Sequence, residues 1–100
     1  MKIEVALRAL ASERRLLILD WLRNPKKHFR PQLYADLAED GVCGVLIAEK
    51  LGVSAPTLCE HMRVLVAAKL VKAKRIRQWK VYRRDEDAIS AVKRVIRDKV

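Results

Sequence analysis

The sequence predicts a mainly α-helical domain with one small β-hairpin towards its C-terminal end. Apolar residues recur every three or four positions as far as residue 68, which is the period of an amphipathic helix. Between Val71 and Arg84 the period shortens towards two, as in a strand. Half of the 100 residues are apolar, and Gly and Pro number only three each. We therefore expect a single folded domain, residues 1–100, that buries roughly two thirds of its extended surface.

Two helices are predicted at the start of the chain. The first runs from Ile3 to Leu10, and Ser12 is a good N-cap for the second, which runs to about Arg23. The pair Asn24-Pro25 ends the second helix. We expect this helix at the buried centre of the fold because most of its residues are apolar. They are Leu16, Leu17, Ile18, Leu19, Trp21 and Leu22.

The connection over residues 24–42 is weakly patterned, and a short helix is expected within it over residues 31–39. A third helix is predicted from about Cys43 to Leu51. It ends at Gly52, which can adopt the left-handed conformation common just beyond a helix C-terminus.

The fourth helix, from Ser54 to Ala68, has the clearest start signals in the chain. Ser54 is its N-cap, Pro56 lies in the first turn, and Val53 and Leu58 occupy the positions of a hydrophobic staple. The predicted buried stripe consists of Leu58, Met62, Leu65 and Val66. The predicted exposed side carries Pro56, Thr57, Glu60, Arg63 and Val64.

Two short strands and a final helix complete the prediction. The strands alternate in polarity and join near Arg77-Gln78. Asp85 can cap the last helix, whose first turn is acidic and so complements the helix dipole. Its apolar stripe consists of Ile89, Val92, Val95, Ile96 and Val100. A 100-residue monomer could hardly cover that stripe by itself, which favours a dimer.

The third and fourth helices, with the tight turn at Gly52-Val53 between them, form a helix-turn-helix. A corner between two ordinary core helices would give the same pattern. Where such a unit binds DNA, its second helix enters the major groove and exposed residues near its N-terminus approach the base edges. The candidate DNA-contacting residues are Ser54, Ala55, Pro56, Thr57, Cys59, Glu60 and Arg63.

The predicted hairpin is strongly basic, in a chain whose net charge is +10. This charge predicts a polyanionic partner, although a basic surface without a ligand would have the same composition. Directly after a helix-turn-helix, the hairpin would act as a two-stranded wing whose cations contact phosphate. It could instead be an edge hairpin that charge protects from aggregation. The candidate phosphate contacts are Lys74, Arg75, Arg77 and Lys80.

Four segments of the chain resemble the arsenical-resistance-repressor (ArsR) family of winged helix-turn-helix regulators. They are LRALASERRLLIL (7–19), IAEKLGVSAPTLCEHMRVL (47–65), KLV (69–71) and QWKVYR (78–83). The resemblance implies helices around one core plus a wing, and a homodimer that joins through its first and last helices. It also implies a repressor that leaves its operator when an inducer binds. Two recognition helices roughly 34–36 Å apart would read a pseudo-palindrome.

Departures from the family pattern bear on how the protein would sense a signal. Metal-sensing members carry a cysteine cluster on the third helix or Asp and His on the last one. Here Cys43 is followed by Gly44 and Val45, and the last helix has no histidine. We therefore expect no metal site and no cofactor. His61, at the edge of the buried stripe, is expected to be a hydrogen-bonded structural residue rather than a ligand.

Three further features leave alternatives open. Cys59 is either a small, half-buried residue or a thiol whose oxidation or alkylation would obstruct the groove contact, and it could also pair with Cys43. Glu60 replaces the family's common arginine, and it could accept a hydrogen bond from cytosine or simply lower affinity. The connection over residues 24–42 is longer than usual in the family, and it could touch flanking phosphate or cover the dimer.

The function predicted from these observations is a sequence-specific transcriptional regulator that binds double-stranded DNA. We expect a homodimeric repressor that is released by an inducer or by thiol modification. The alternative is a winged-helix module that binds protein or RNA without operator specificity. An enzyme is not expected, because Cys59 and His61 face different ways on one helix and no phosphate-binding glycine loop is present. Residues 1–11 lack the apolar core of a signal peptide, so a cytoplasmic protein without membrane contact is expected.

Overall fold

The computed structural model describes residues 2–100, so Met1 of the N-terminal segment lies outside it. The element order is α1 (Ile3–Leu10), α2 (Glu13–Arg23), α3 (Pro25–His28), β1 (Val42–Cys43), α4 (Gly44–Leu51), α5 (Ala55–Ala67), β2 (Val71–Ile76), β3 (Trp79–Arg84) and α6 (Glu86–Lys99). The mainly α-helical prediction is confirmed, and so are the positions of five helices and both strands of the hairpin.

Side-chain caps begin three of these helices as the sequence predicts. The side chains of Ser12, Ser54 and Asp85 accept backbone N–H groups of Arg15, Thr57 and Ala88, respectively. Each cap pairs a donor that the first turn of a helix leaves free, at a gain of roughly 1 kcal/mol. These bonds therefore define where α2, α5 and α6 begin.

The core lies where α2, α4 and α5 meet the sheet, and Ile18, Ile47, Met62 and Leu65 are fully buried there. The prediction that α2 lies at the centre of the fold holds for one side of the helix only. Leu16 and Leu17 are 49% and 46% exposed, because only the side of α2 that carries Ile18, Leu19 and Leu22 faces the core. Val66, predicted in the buried stripe of α5, is only half-buried, and so is Val64, predicted on its exposed side.

The predicted helix over residues 31–39 is wrong, since the structure has bends and turns there and places the single helical turn α3 earlier. Local side-chain bonds explain the difference. The Asp36 carboxylate accepts the N–H groups of Ala38 and Glu39, both at 2.9 Å. The Gln32 side chain accepts the N–H of Cys43 at 2.7 Å and donates to the carbonyl of Gly41 at 3.0 Å. Such bonds compete with the helical backbone pattern.

The sheet has three antiparallel strands in the order β1-β3-β2, where only the two strands of the hairpin were predicted. In the additional pairing, Val42 lies opposite Tyr82 and Cys43 opposite Val81. Gly41 precedes this strand with φ of 119°, and a Cβ there would stand 2.6 Å from the carbonyl oxygen of Tyr82. A glycine is therefore required for β1 to reach β3, and β1 anchors the start of α4 to the middle of β3.

Candidate nucleic-acid interface

The turn between α4 and α5 has the tight geometry of a helix-turn-helix. Gly52 adopts the left-handed conformation, with φ of 74°, and its N–H contacts the carbonyls of Ala48 and Glu49. Val53 then donates its N–H to the carbonyl of Ala48 at 3.1 Å. These bonds end α4 and turn the chain within two residues, so that α5 begins at once.

One side of α5 is buried and the other faces solvent along its first three turns. Leu58, Met62 and Leu65 form the buried side. The sequence-predicted contact residues Ser54, Ala55, Pro56, Cys59, Glu60 and Arg63 are exposed, and Thr57 is half-buried. The Ser54 hydroxyl donates to the Thr57 hydroxyl at 3.1 Å, which leaves the Thr57 hydroxyl free to donate outwards. Six of the seven candidate residues are thus accessible at the start of α5 and along its exposed side.

Glu60 and Arg63 form a close ion pair on this exposed side, with 2.6 Å between Oε1 and Nη2. Hydrogen bonding to Arg63 holds the pKa of Glu60 below its usual value, and the same bond raises the pKa of Arg63. Arg63 must leave or share this pair before it can contact a phosphate or a base. Glu60 therefore screens Arg63 in the free protein.

The basic hairpin projects beside α5, and its cations differ in how they are held. Lys74 lies 2.8 Å from the Asp40 carboxylate, an ion pair that lowers the pKa of Asp40. Arg77, at the turn with φ of 55°, lies 4.8 Å from the centre of the Tyr34 ring. Lys80 lies 6.0 Å from the centre of the Tyr82 ring, and Arg75 is exposed.

Two side chains of the connection over 24–42 thus contact cations of the hairpin, and the sequence analysis missed both. Asp40 neutralises Lys74, and Tyr34 supports Arg77 through a cation–π contact. Both contacts span more than 30 positions along the chain, and no local pattern signals them. The connection is therefore part of the wing's support.

A second contact missed by the sequence analysis joins α5 to the end of α1. Arg15 places Nη1 at 3.1 Å from His61 Nδ1, and it donates to the carbonyls of Ala9 at 2.6 Å and Arg8 at 3.2 Å. The prediction of a hydrogen-bonded structural His61 is confirmed. Burial lowers the pKa of His61, and the charges of Arg15 and Arg14 lower it further. A guanidinium can only donate, so Nδ1 of His61 is the acceptor of this bond.

Cys43 and Cys59 are both free thiols; Cys43 is half-buried and Cys59 is exposed. Burial raises the pKa of the neighbouring Tyr82 hydroxyl, and the two cysteines raise it further.

Within residues 2–100, no group of three or more His, Cys, Asp or Glu side chains is arranged to hold a metal ion. Across the same residues, no helix combines the length and apolar character needed to cross a bilayer.

Apolar side chains remain exposed on α1, α2 and α6, away from the contact residues of α5. Among them are Val5, Leu7, Leu16, Leu17 and Ile96. The structure exposes 6645 Å², whereas a compact monomer of 11.5 kDa exposes about 5,800 Å². The excess surface and its apolar character are typical of a subunit that associates.

Comparison with known proteins identifies the family to which this architecture belongs. The uncharacterised HTH-type transcriptional regulator YbzH of Bacillus subtilis (strain 168) is 42% identical over 82 residues, which cover 82% of each chain. The homodimeric winged helix-turn-helix DNA-binding domain of a possible ArsR-family regulator from Mycobacterium bovis superposes with a TM-score of 0.66. It is 27% identical and is matched over 97% of this chain and 79% of that one. The chain belongs to the ArsR family of helix-turn-helix transcriptional regulators.

A second solved structure agrees with this assignment. The transcriptional regulator HlyU of Vibrio vulnificus has a TM-score of 0.62 and 26% identity over 94% of this chain and 83% of its own. No family model matches the sequence. The winged helix-turn-helix prediction is confirmed for this ArsR-family chain, with the correction that its sheet has a third strand.

Proposed function

We propose that this regulator binds double-stranded DNA as a homodimer, with α5 in the major groove and the β2–β3 wing on neighbouring phosphates. The observation that carries the proposal is the exposed side of α5 from Ser54 to Arg63, with the cationic hairpin beside it. A helix fits the major groove, and a wing of Arg and Lys supplies affinity that does not depend on sequence.

The roles of individual residues follow from their positions. Ala55, Pro56, Thr57, Cys59 and Glu60 lie in the first two turns of α5, where the base edges are approached. Of these, Thr57 and Glu60 carry the polar groups that can read a base. Arg63 contacts backbone once released from Glu60, while Lys74, Arg75, Arg77 and Lys80 contact phosphate. Ser54 holds the start of the helix.

Dimerisation through α1 and α6 would place two copies of α5 on one face of a duplex. The exposed apolar residues of α1 and α6 support this arrangement, and so does the homodimeric state of the Mycobacterium bovis domain. Two-fold symmetry makes the operator a pseudo-palindrome whose half-site centres are one helical turn apart, about 10–10.5 bp. We propose that the protein acts in the cytoplasm, as a DNA-binding regulator of a bacterial cell such as that of its relative YbzH would.

A repressor released by an inducer or by thiol modification is the form of regulation we propose. Cys59 is exposed on the side of α5 that would face the groove, so an added group there would obstruct binding. N-ethylmaleimide should therefore abolish operator binding by the native protein and by Cys43→Ser. It should leave Cys59→Ser unaffected, and equal inhibition of Cys59→Ser would contradict the thiol hypothesis.

In vitro selection from random duplexes tests the proposal. We expect enrichment of one pseudo-palindromic sequence, which then serves in competition assays against its scrambled form. Thr57→Ala should reduce discrimination between the two, whereas Arg75→Ala should weaken binding to both alike. Failure of any sequence to be enriched would contradict the proposal and favour a protein- or RNA-binding module.

A further inference from the structure

A cleft of about 260 Å³ lies between the connection, the start of α4 and strand β3 of the hairpin. One wall is formed by residues 30–35. The opposite wall comes from the start of α4, with Val45 and Leu46, and from β3, with Trp79 and Val81. Cys43, the second residue of β1, also lines the cleft. The cleft therefore touches the connection, the first helix of the helix-turn-helix and the wing.

Most of the cleft's lining is apolar, and its polar side chains are largely occupied. Gln32 bonds to the backbone of Gly41 and Cys43, and Arg30 pairs with Glu49 at 3.2 Å near the rim. The indole Nε1 of Trp79 is an exception, because this buried donor has no hydrogen-bond partner within residues 2–100. A buried N–H without an acceptor is unfavourable, so a molecule that supplies an acceptor gains by binding there.

We infer that this cleft is an effector site for a small aromatic carboxylic acid, of one or two rings. Small-molecule sites are concave, mostly apolar and provided with a few polar groups, and they measure roughly 300–1,000 Å³ for drug-sized ligands. A cleft slightly below that range suits a smaller aromatic molecule between Tyr34 and Trp79. A carboxylate supplies the acceptor for the indole N–H. The net charge of +10 favours an anion over a neutral molecule.

Occupancy of the cleft would alter the wing, and this step rests on the proposed DNA-binding function. Tyr34 lines the cleft and also supports Arg77 at the tip of the hairpin. Because Trp79 Nε1 is covered, a ligand that supplies its acceptor must displace the atoms that cover it. A ligand that packs against Tyr34 also displaces the ring that supports Arg77. The cleft thereby links ligand binding to the geometry of the DNA-binding surface.

NMR titration of the ¹⁵N-labelled full chain with 2-naphthoate tests the site without DNA. The chain has two tryptophans, so the indole signal of Trp21, which packs edge-on against Phe29, is an internal control. We expect a saturable shift of the Trp79 indole signal and none of the Trp21 signal. Naphthalene-2-carboxamide, which lacks the charge, should bind more weakly. No saturable shift up to the solubility limit, or equal shifts of both indoles, would overturn the inference.

Two variants locate the bound molecule. Trp79→Phe keeps an aromatic wall but removes the donor, and it should weaken 2-naphthoate binding roughly two- to tenfold, whereas Trp21→Phe should have no effect. Val45→Phe adds bulk at a half-exposed position of the cleft and should abolish binding while the protein remains folded. Undiminished binding by Val45→Phe would place the molecule elsewhere and overturn the assignment.

The regulatory step has its own measurement. Saturating 2-naphthoate should weaken binding of the selected duplex roughly fivefold or more for the native protein and leave Val45→Phe unchanged. Unchanged duplex affinity at saturation would overturn the effector role. If no DNA sequence is bound at all, the proposed function fails, and the NMR titration still decides whether the site exists.

Discussion

Arg15 joins the end of α1 to the middle of α5, so its replacement should cost more stability than its partly exposed position suggests. Arg15→Met keeps the aliphatic part of the side chain but removes the donors to the Arg8 and Ala9 carbonyls and to His61. Hydrogen bonds from a charged group contribute about 1.5–3 kcal/mol each when buried. Two of these three are only partly buried and one is exposed, so we expect a total loss of roughly 1–3 kcal/mol.

Urea denaturation at fixed protein concentration measures this loss, because dimerisation makes stability depend on concentration. Thermal unfolding should agree, since each kcal/mol lowers the Tm of a 100-residue domain by roughly 4–8 °C. Arg14→Met is the matched control, because Arg14 is an exposed neighbour with the same charge. Arg15→Lys should recover only part of the loss, since Lys lacks the planar fork. If Arg15→Met and Arg14→Met had equal stability, the bridge would contribute nothing and the reasoning would fail.

Three further predictions follow from other contacts. Because the pKa of His61 is lower in the folded chain than in the unfolded chain, protonation of this residue favours unfolding. The contribution of neutral His61 to the free energy of unfolding is therefore complete above about pH 6.5, and it is lost as the pH falls through the lower pKa of the folded chain. Between pH 7.5 and pH 5.5 the urea midpoint should therefore fall less for His61→Gln than for the native protein or for the control His28→Gln. The same fall for all three proteins would contradict this prediction. Gly41→Ala should lower the free energy of unfolding by about 3 kcal/mol or more, because an added Cβ would lie 2.6 Å from the Tyr82 backbone. Gly52→Ala should lower it by about 1 kcal/mol, because an added Cβ there meets open space and only the positive φ is unfavourable. Equal losses for the two variants in calorimetry would contradict this explanation. Asp40→Asn releases Lys74 for a phosphate contact, so the slope of log DNA affinity against log salt concentration should steepen by up to about 0.9. Fluorescence anisotropy measures this slope. The control Asp20→Asn, which frees Arg23 on α2, should leave the slope unchanged.

Local signals account for the elements that the sequence analysis predicted correctly. Ser54 and Pro56 mark the start of α5, Gly52 marks the end of α4, and Asp85 marks the start of α6, each through bonds or dihedral angles within a few residues. Alternating polarity similarly predicts β2 and β3. These features could be read from the sequence because their physical cause lies within one turn or one strand.

The connection could not be read in this way because its structure depends on distant partners. β1 has only two residues and exists because Gly41 permits a close approach to Tyr82. The expected helix over residues 31–39 gives way to turns held by Gln32 and Asp36. Tyr34 and Asp40 join the wing only through contacts with Arg77 and Lys74. Each of these effects requires the three-dimensional fold.

The candidate contact residues of α5 were predictable as a set, but their pairing was not. An exposed helical side follows from spacing alone, and the structure places six of the seven predicted residues in solvent. The spacing of Glu60 and Arg63 along the helix permits an ion pair, but whether the pair forms depends on the side-chain rotamers, which the sequence does not determine. Leu16 and Leu17 are likewise exposed, although the apolar composition of α2 alone predicts that they are buried.

Mapping of NMR chemical-shift changes on binding the selected duplex tests the central claim most directly, because it reports which surface meets DNA. The account predicts that the largest changes occur in backbone and side-chain signals of residues 54–63 and 74–80. Signals of α6 should remain close to those of the free protein. Changes concentrated on α6 or on the exposed side of α2, with residues 54–63 unaffected, would contradict it.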